Sequence, residues 1–125
     1  MPVYMMASAT DTLKTTVDFY IASYAGDADF DEAEAYYLNV IEKYRNRDCE
    51  AVFGARLYLA DFYRFRRKPA LSASQLDTAK QLMQDCGIRD KSLRAVYYRY
   101  LARNENNAGR VDKALALNQK AISLL

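Results

Sequence analysis

The sequence predicts an all-α protein made of three antiparallel helix pairs. Three observations carry this. Only two prolines and four glycines punctuate 125 residues, too few turn signals for strands that must reverse every 8–12 residues or so. Apolar residues recur at intervals of three and four along long segments rich in Ala, Leu, Tyr, Lys, Arg and Glu, which is the helical period. A short phrase (apolar, Asp, polar, Ala) appears three times, as Phe30-Asp31-Glu32-Ala33, Leu76-Asp77-Thr78-Ala79 and Val111-Asp112-Lys113-Ala114.

Residues 1–10 read as an N-terminal extension and 11–125 as one domain, with pairs at about 11–47, 50–88 and 91–125. The first helix is expected from Asp11 to Ala25, with Leu13, Val17, Tyr20, Ile21 and Tyr24 on one face and Gly26 as its stop. The second starts after Asp29, where Asp29 and Glu32 have the spacing of a capping box. Its apolar face is Phe30, Ala33, Tyr37, Val40, Ile41 and Tyr44. The third runs from Glu50 to Phe65, with Val52, Ala55, Leu59, Ala60 and Tyr63 inward, and Arg66-Arg67-Lys68-Pro69 ends it, because the residue before proline is disfavoured in a helix. A second capping box at Ser72-Ala73-Ser74-Gln75 opens the fourth, which carries Leu76, Ala79, Met83 and Cys86 and closes at Gly87 with Ile88 folded back. The fifth spans Lys91 to Ala108 and ends at Gly109. The sixth spans Val111 to Leu125, with Val111, Ala114, Leu115, Ala121, Ile122 and Leu125 on one side.

The alanines of the recurring phrase lie 46 and 35 residues apart. The second spacing is close to the tetratricopeptide period of about 34, and the first exceeds it through a longer loop at Arg66–Ser74. Residues 95–125 resemble a tetratricopeptide repeat: Tyr98, Leu101 and Ala102 match its large aromatic, Leu and small positions. Gly109 matches its turn, and Ala114 and Ala121 its later small positions. The first pair resembles the family through Tyr24, Ala33 and Tyr37, and the middle one through Ala60, Tyr63, Ala79 and Cys86. The resemblance covers about 110 residues and implies a right-handed superhelix in which small residues let helices approach and aromatics fill the wider gaps. The departures are Arg45 and Lys91 in place of the terminal proline, Glu105 in place of an aromatic and Arg56 in place of a large residue.

Charge is unevenly placed. Residues 1–50 hold ten acids and four bases, a net −6, and residues 51–125 hold six acids and fourteen bases, a net +8. Such a dipolar chain steers charged partners. No apolar run approaches the roughly 18 residues of a membrane span, and the opening segment lacks the basic start of a signal peptide. Cys49 and Cys86 are too few and too far apart to predict a disulfide framework or a zinc site. Cys86, at a small-residue packing position, is expected to be a buried thiol. A reduced, cytoplasmic protein follows.

Enzymatic chemistry is not expected. There is no histidine, which removes the commonest general base and zinc ligand. The isolated glycines form no phosphate-cradling loop. Asp27-Ala28-Asp29-Phe30-Asp31 has the start of a calcium loop, but Glu32 stands where glycine is needed and Leu38 where a bidentate Glu is needed. No catalytic residue, cofactor or metal is therefore expected.

In tetratricopeptide arrays the first helix of each pair lines the concave face. The resemblance places Arg99, Arg103, Asn106, Asn107 and Val96 there from the fifth helix. It places Asp61, Arg64, Leu57 and Phe65 there from the third, and Asp18, Ala22 and Ala25 from the first. The partner implied is a protein or an acidic peptide gripped through carboxylates and backbone. The family's clamp for a chaperone C-terminus needs basic and amide residues where Asp18, Ala22, Val96 and Tyr100 stand, so that partner is not expected. Other readings remain: a sensory or oligomerisation fragment of a larger bacterial regulator or, alternatively, a homodimer through the apolar end Ile122–Leu125; and a single-stranded RNA binder. The RNA reading rests on Tyr97–Arg103 and Arg64–Lys68, where bases alternate with aromatics. It is disfavoured because Tyr98 and Leu101 are wanted in the core.

Overall fold

The computed structural model describes residues 27–125, with side chains from Phe30 onward. The expected first helix, and Asp18, Tyr24, Ala22 and Ala25 with it, lie outside the described residues. Five helices follow: α1 (Asp27–Tyr44), α2 (Cys49–Phe65), α3 (Pro69–Cys86), α4 (Lys91–Asn107) and α5 (Val111–Ser123), with no strand among the described residues. The chain is all-α. Helix α1 begins at Asp27, so Asp29 lies within it and is not its cap.

Helix α2 packs on α1, α3 and α4, and α4 packs on α2, α3 and α5. Three neighbours explain why α2 is buried on nearly every side, from Ala51 through Tyr63 with only Arg56 partly open. A helix apolar all round has to be covered all round. Its start is fixed by Asp48, whose Oδ1 accepts from the Ala51 N–H at 3.0 Å. Its end is a Schellman turn: Lys68 N–H donates to the Tyr63 carbonyl and Arg67 N–H to the Arg64 carbonyl. Arg67 holds the left-handed position of that turn, at φ 61°, where glycine is the unstrained residue. The corresponding turn after α4 does use glycine, Gly109 at φ 84°, with Arg110 N–H donating to the Glu105 carbonyl.

Helix α3 starts at Pro69, not at the serines. Proline at the first helical position lacks only an N–H that would be unpaired anyway, so the basic link shrinks to Arg66–Lys68. Ser72 is then buried inside α3 and works across helices. Its hydroxyl donates to the Ala60 carbonyl at 2.7 Å and accepts from the Asn104 amide at 3.0 Å. The 46-residue spacing from Ala33 to Ala79 therefore reflects extra helix at the start of α3 rather than a long loop.

Ala33, Ala79 and Ala114 are all buried. Around them, aromatics fill space: Phe30 stacks on Phe62 with centroids 5.2 Å apart, and Phe53 faces Tyr97 at 6.4 Å. On α4 the fully buried rings are Tyr97 and Tyr100, while Tyr98 and Leu101 are half-buried against the core. Ile88 is buried in that core as expected, and Met83 packs against it.

On α5 only Ala114 and Ala121 are buried; Val111, Leu115 and Ile122 are 61, 57 and 70% exposed, and Leu125 just past its end is 83% exposed. At about 100° per residue the two alanines lie at one edge of the apolar stripe, and α4 covers that edge only.

Cys49 and Cys86 form a disulfide, with Cα atoms 6.4 Å apart, contrary to the expected thiols. Their wide spacing in sequence is cancelled by the α2–α3 hairpin: two helices of 17 and 18 residues with a short link bring the start of one beside the end of the other. Cys86 is exposed, not buried.

Two measurements test these features. Replacing Arg67 by glycine removes a left-handed strain, and the urea midpoint is expected to rise by the equivalent of about 0.5–1 kcal/mol; Arg67→Ala is expected to give no gain. Maleimide labelling of the denatured chain is expected to add nothing before reduction and two groups after it. Closing a loop of this length stabilises by about 4 kcal/mol, the loss expected for Cys49→Ser.

Candidate functional site

The six residues expected to line the groove do not behave alike. Asp61, Arg64 and Arg103 come together. Asp61 is on α2, its side chain only 8% exposed, and its Oδ1 accepts from Arg64 Nε at 2.8 Å and Arg103 Nη1 at 3.1 Å. Arg64 is four positions from Ala60 on the same helix, and Arg103 comes across from α4. A carboxylate on a helix buried all round requires such partners, and two guanidiniums on one carboxylate leave a net positive cluster. The Arg103 guanidinium also lies 5.1 Å from the centre of the Tyr100 ring, a cation–π contact that orients it. Each arginine keeps N–H groups beyond the one given to Asp61.

Arg99 is exposed on α4, one turn before Arg103. Asn106 and Asn107 are exposed at the end of α4 and do not join the cluster. Asn104 is the amide of this stretch that bonds across helices, donating to the buried Ser72 hydroxyl of α3. Leu57 is fully buried, Val96 half-buried, and Phe65 is 40% exposed, so of the three expected apolar lining residues only Phe65 offers substantial surface. Nothing in the spacing distinguished Asn104 from its neighbours, because its role depends on where α3 crosses α4.

Beyond Gly109, Arg110 grips Glu105 through two N–H groups, Nε to Oε2 and Nη2 to Oε1. Glu105 stands where the resembled family has an aromatic, and here it staples the α4–α5 turn.

A second feature lies elsewhere. The end of α1, the start of α2 and the end of α3 enclose a pocket of about 450 Å³. Arg45, Arg47 and Arg56 line it, together with the Cys49–Cys86 disulfide and the apolar Ile41, Val52 and Leu82. Arg56 gives Nη1 to Gln75 Oε1 at 2.8 Å, while its Nε is buried without a hydrogen-bond partner among the described residues. Burial, and then the charge of Arg45, lower its pKa. Sequence reasoning registered Arg56 only as an arginine in place of a large residue. That was the available signal.

No family model, no curated protein and no solved structure matches this chain.

The buried tyrosines set an alkaline limit. Burial first, then the charges of Asp61 and Tyr58, push the Tyr100 phenol up to about 12 against the countering pull of Arg103 and Arg99. Tyr97 is pushed up to about 12 by burial, then Tyr98 and Asp77. Both values exceed the ordinary 10.0, so the folded state holds protons that the unfolded state releases. Stability from these groups is fully present below pH 10 and is lost as pH rises from about 10 to about 12. Urea unfolding across that range should show the fall, with a late tyrosinate phase at 295 nm.

Proposed function

We propose that this chain is a non-enzymatic interaction module of three tetratricopeptide-like helix pairs, with no cofactor, and that it takes an acidic peptide or protein along the α2–α4 face. The observation that carries the reading is Asp61 holding Arg64 and Arg103, from the first helices of two successive pairs, in one fixed cluster. Guanidiniums oriented beforehand recognise carboxylates with little further ordering. Arg99, one turn along from Arg103 and exposed, extends the row.

The packing supports the repeat reading and the right-handed superhelix it entails. First helices of neighbouring pairs touch (α2 with α4), and the second helix of one pair touches the first of the next (α1 with α2, α3 with α4). Burial of Ala33, Ala79 and Ala114 supports three equivalent crossings. Among the described residues no helix is long and apolar enough to cross a membrane. The cytoplasmic location we propose carries a condition: its reducing pool would open the Cys49–Cys86 bond, which an oxidising compartment would preserve.

The outward stripe of α5, Val111, Leu115, Ile122 and Leu125, supports a second reading. In it the chain is the sensory or oligomerisation fragment of a larger bacterial regulator, and a further helix pair or a second copy covers the stripe. The RNA reading loses support, because Tyr97 and Tyr100 are buried and Tyr98 is half-buried with Lys120 over its ring.

Fluorescence anisotropy with a labelled octaglutamate peptide at low ionic strength tests the first reading, with octaglutamine as the control. The acidic peptide is expected to bind, and the double variant Arg99→Glu/Arg103→Gln to weaken it by about tenfold or more. Equal affinity for the variant, or no affinity in the wild type, would remove the groove. Light scattering on the same samples decides the second-copy version, which a monodisperse monomer excludes.

A further inference from the structure

We infer that the pocket between α1, α2 and α3 is a binding site for a small organic oxyanion, an apolar body carrying a phosphate or carboxylate head. It is separate from the groove above: no residue of the Asp61 cluster lines it. The face of α2 that it uses (Cys49, Val52, Arg56) is about a third of the way round the helix from Asp61 and Arg64.

Three features of the pocket agree on this ligand. The first is charge. Three guanidiniums line the space, and among the described residues no carboxylate does. Glu42 takes the Nε of Arg45 at 3.1 Å in an exposed pair, and among the described residues the terminal nitrogens of Arg45 have no hydrogen-bond partner. Arg45 opposes Arg56, whose pKa is lowered by burial first and by that charge second, and like charges gathered around one hollow are relieved by an anion within it.

The second is an unmet hydrogen bond. A buried N–H without an acceptor is costly, and the Nε of Arg56 has none among the described residues. Gln75 holds the other side of the guanidinium through Nη1, so the group is positioned rather than loose. That Nε is closed to solvent, so an oxyanion in the pocket compensates the buried, under-paired guanidinium through its charge and the remaining N–H groups rather than at Nε. Arginine is the side chain best shaped for such a partner.

The third is the apolar remainder. Ile41, Val52 and Leu82 come from three different helices, and the volume of about 450 Å³ is within the ordinary range for ligand pockets. An inorganic ion alone would leave this surface uncovered. The frame is firm: the disulfide joins α2 to α3 at the rim, Asp48 caps α2, and Asn46 holds a left-handed turn at φ 62° that sets Arg45 and Arg47 on either side of it.

The test is calorimetric titration of the full chain, disulfide intact and at low salt, with phenyl phosphate as the probe. Inorganic phosphate (head alone), benzyl alcohol (body alone) and benzoate (carboxylate head) are the other arms. Phenyl phosphate is expected to bind at least about tenfold more tightly than inorganic phosphate, and benzyl alcohol not to bind. Comparison with benzoate names the preferred head group. Arg56→Met keeps the unbranched stem without the guanidinium and is expected to weaken phenyl phosphate by about tenfold or more. Arg47→Ala, at an exposed position, is expected to weaken it severalfold with folding untouched. In nitrogen-15 spectra the Arg56 Nε–H resonance should shift on titration, and Arg99→Glu should leave the affinity unchanged. The inference is overturned if phenyl phosphate shows no heat at about 10 mM, if inorganic phosphate binds as tightly, or if Arg47→Ala leaves the affinity unaltered.

Discussion

Three helices pack on α2, and the need to cover that helix on every side organises the rest of the structure. Its residues from Ala51 to Tyr63 are buried apart from the half-open Arg56. Close approach by α1, α3 and α4 is possible because small residues stand on several sides at once: Ala51, Gly54, Ala55 and Ala60 on α2 itself, with Ala33 and Ala79 on its partners. A polar residue on such a helix has little access to water, so each one must be met by another element. Asp61 is met by Arg103, and Arg56 by Gln75.

The polar contacts across helices also make the pairs cooperate. Ser72 is bonded to α2 through the Ala60 carbonyl and to α4 through Asn104, so α3 is tied to both helices of the groove by one hydroxyl. Asp61 ties α2 to α4 a short distance away. At the other end of the α2–α3 hairpin the disulfide closes the frame. Between these ties α2 presents two different basic surfaces. One is an open cluster with α4, where a buried carboxylate offsets part of the charge. The other is a concave pocket with α1 and α3, where among the described residues no carboxylate lines the wall. The difference between the two surfaces follows from which neighbour supplies the counter-charge, and it is the reason we propose different ligands for them.

Periodicity and punctuation made most of the helical architecture legible. Five helices stand where apolar spacing places them, and their ends agree within a few residues where a local signal existed: Gly87, Gly109 and the break before Pro69. The start of α3 was misread because Ser72 and Ser74 imitate a capping box. A hydroxyl's choice between its own backbone and a neighbouring helix is not a local matter. Likewise, the α5 stripe was legible as apolar but not as uncovered, since coverage depends on a partner.

By itself the sequence determined what depends on neighbours along the chain: helix content, the positions of most turns, the recurring small residues, and the basic character of the C-terminal half. Those properties follow from backbone preference and spacing within one or two turns. Tertiary structure alone decided that Cys49 meets Cys86, that Asn104 rather than Asn106 or Asn107 bonds across to α3, and that Arg56 ends beside Arg45 and Arg47. Each of these pairings joins residues far apart in the chain, and a crossing geometry that shifts by one residue turns a helix face by about 100°.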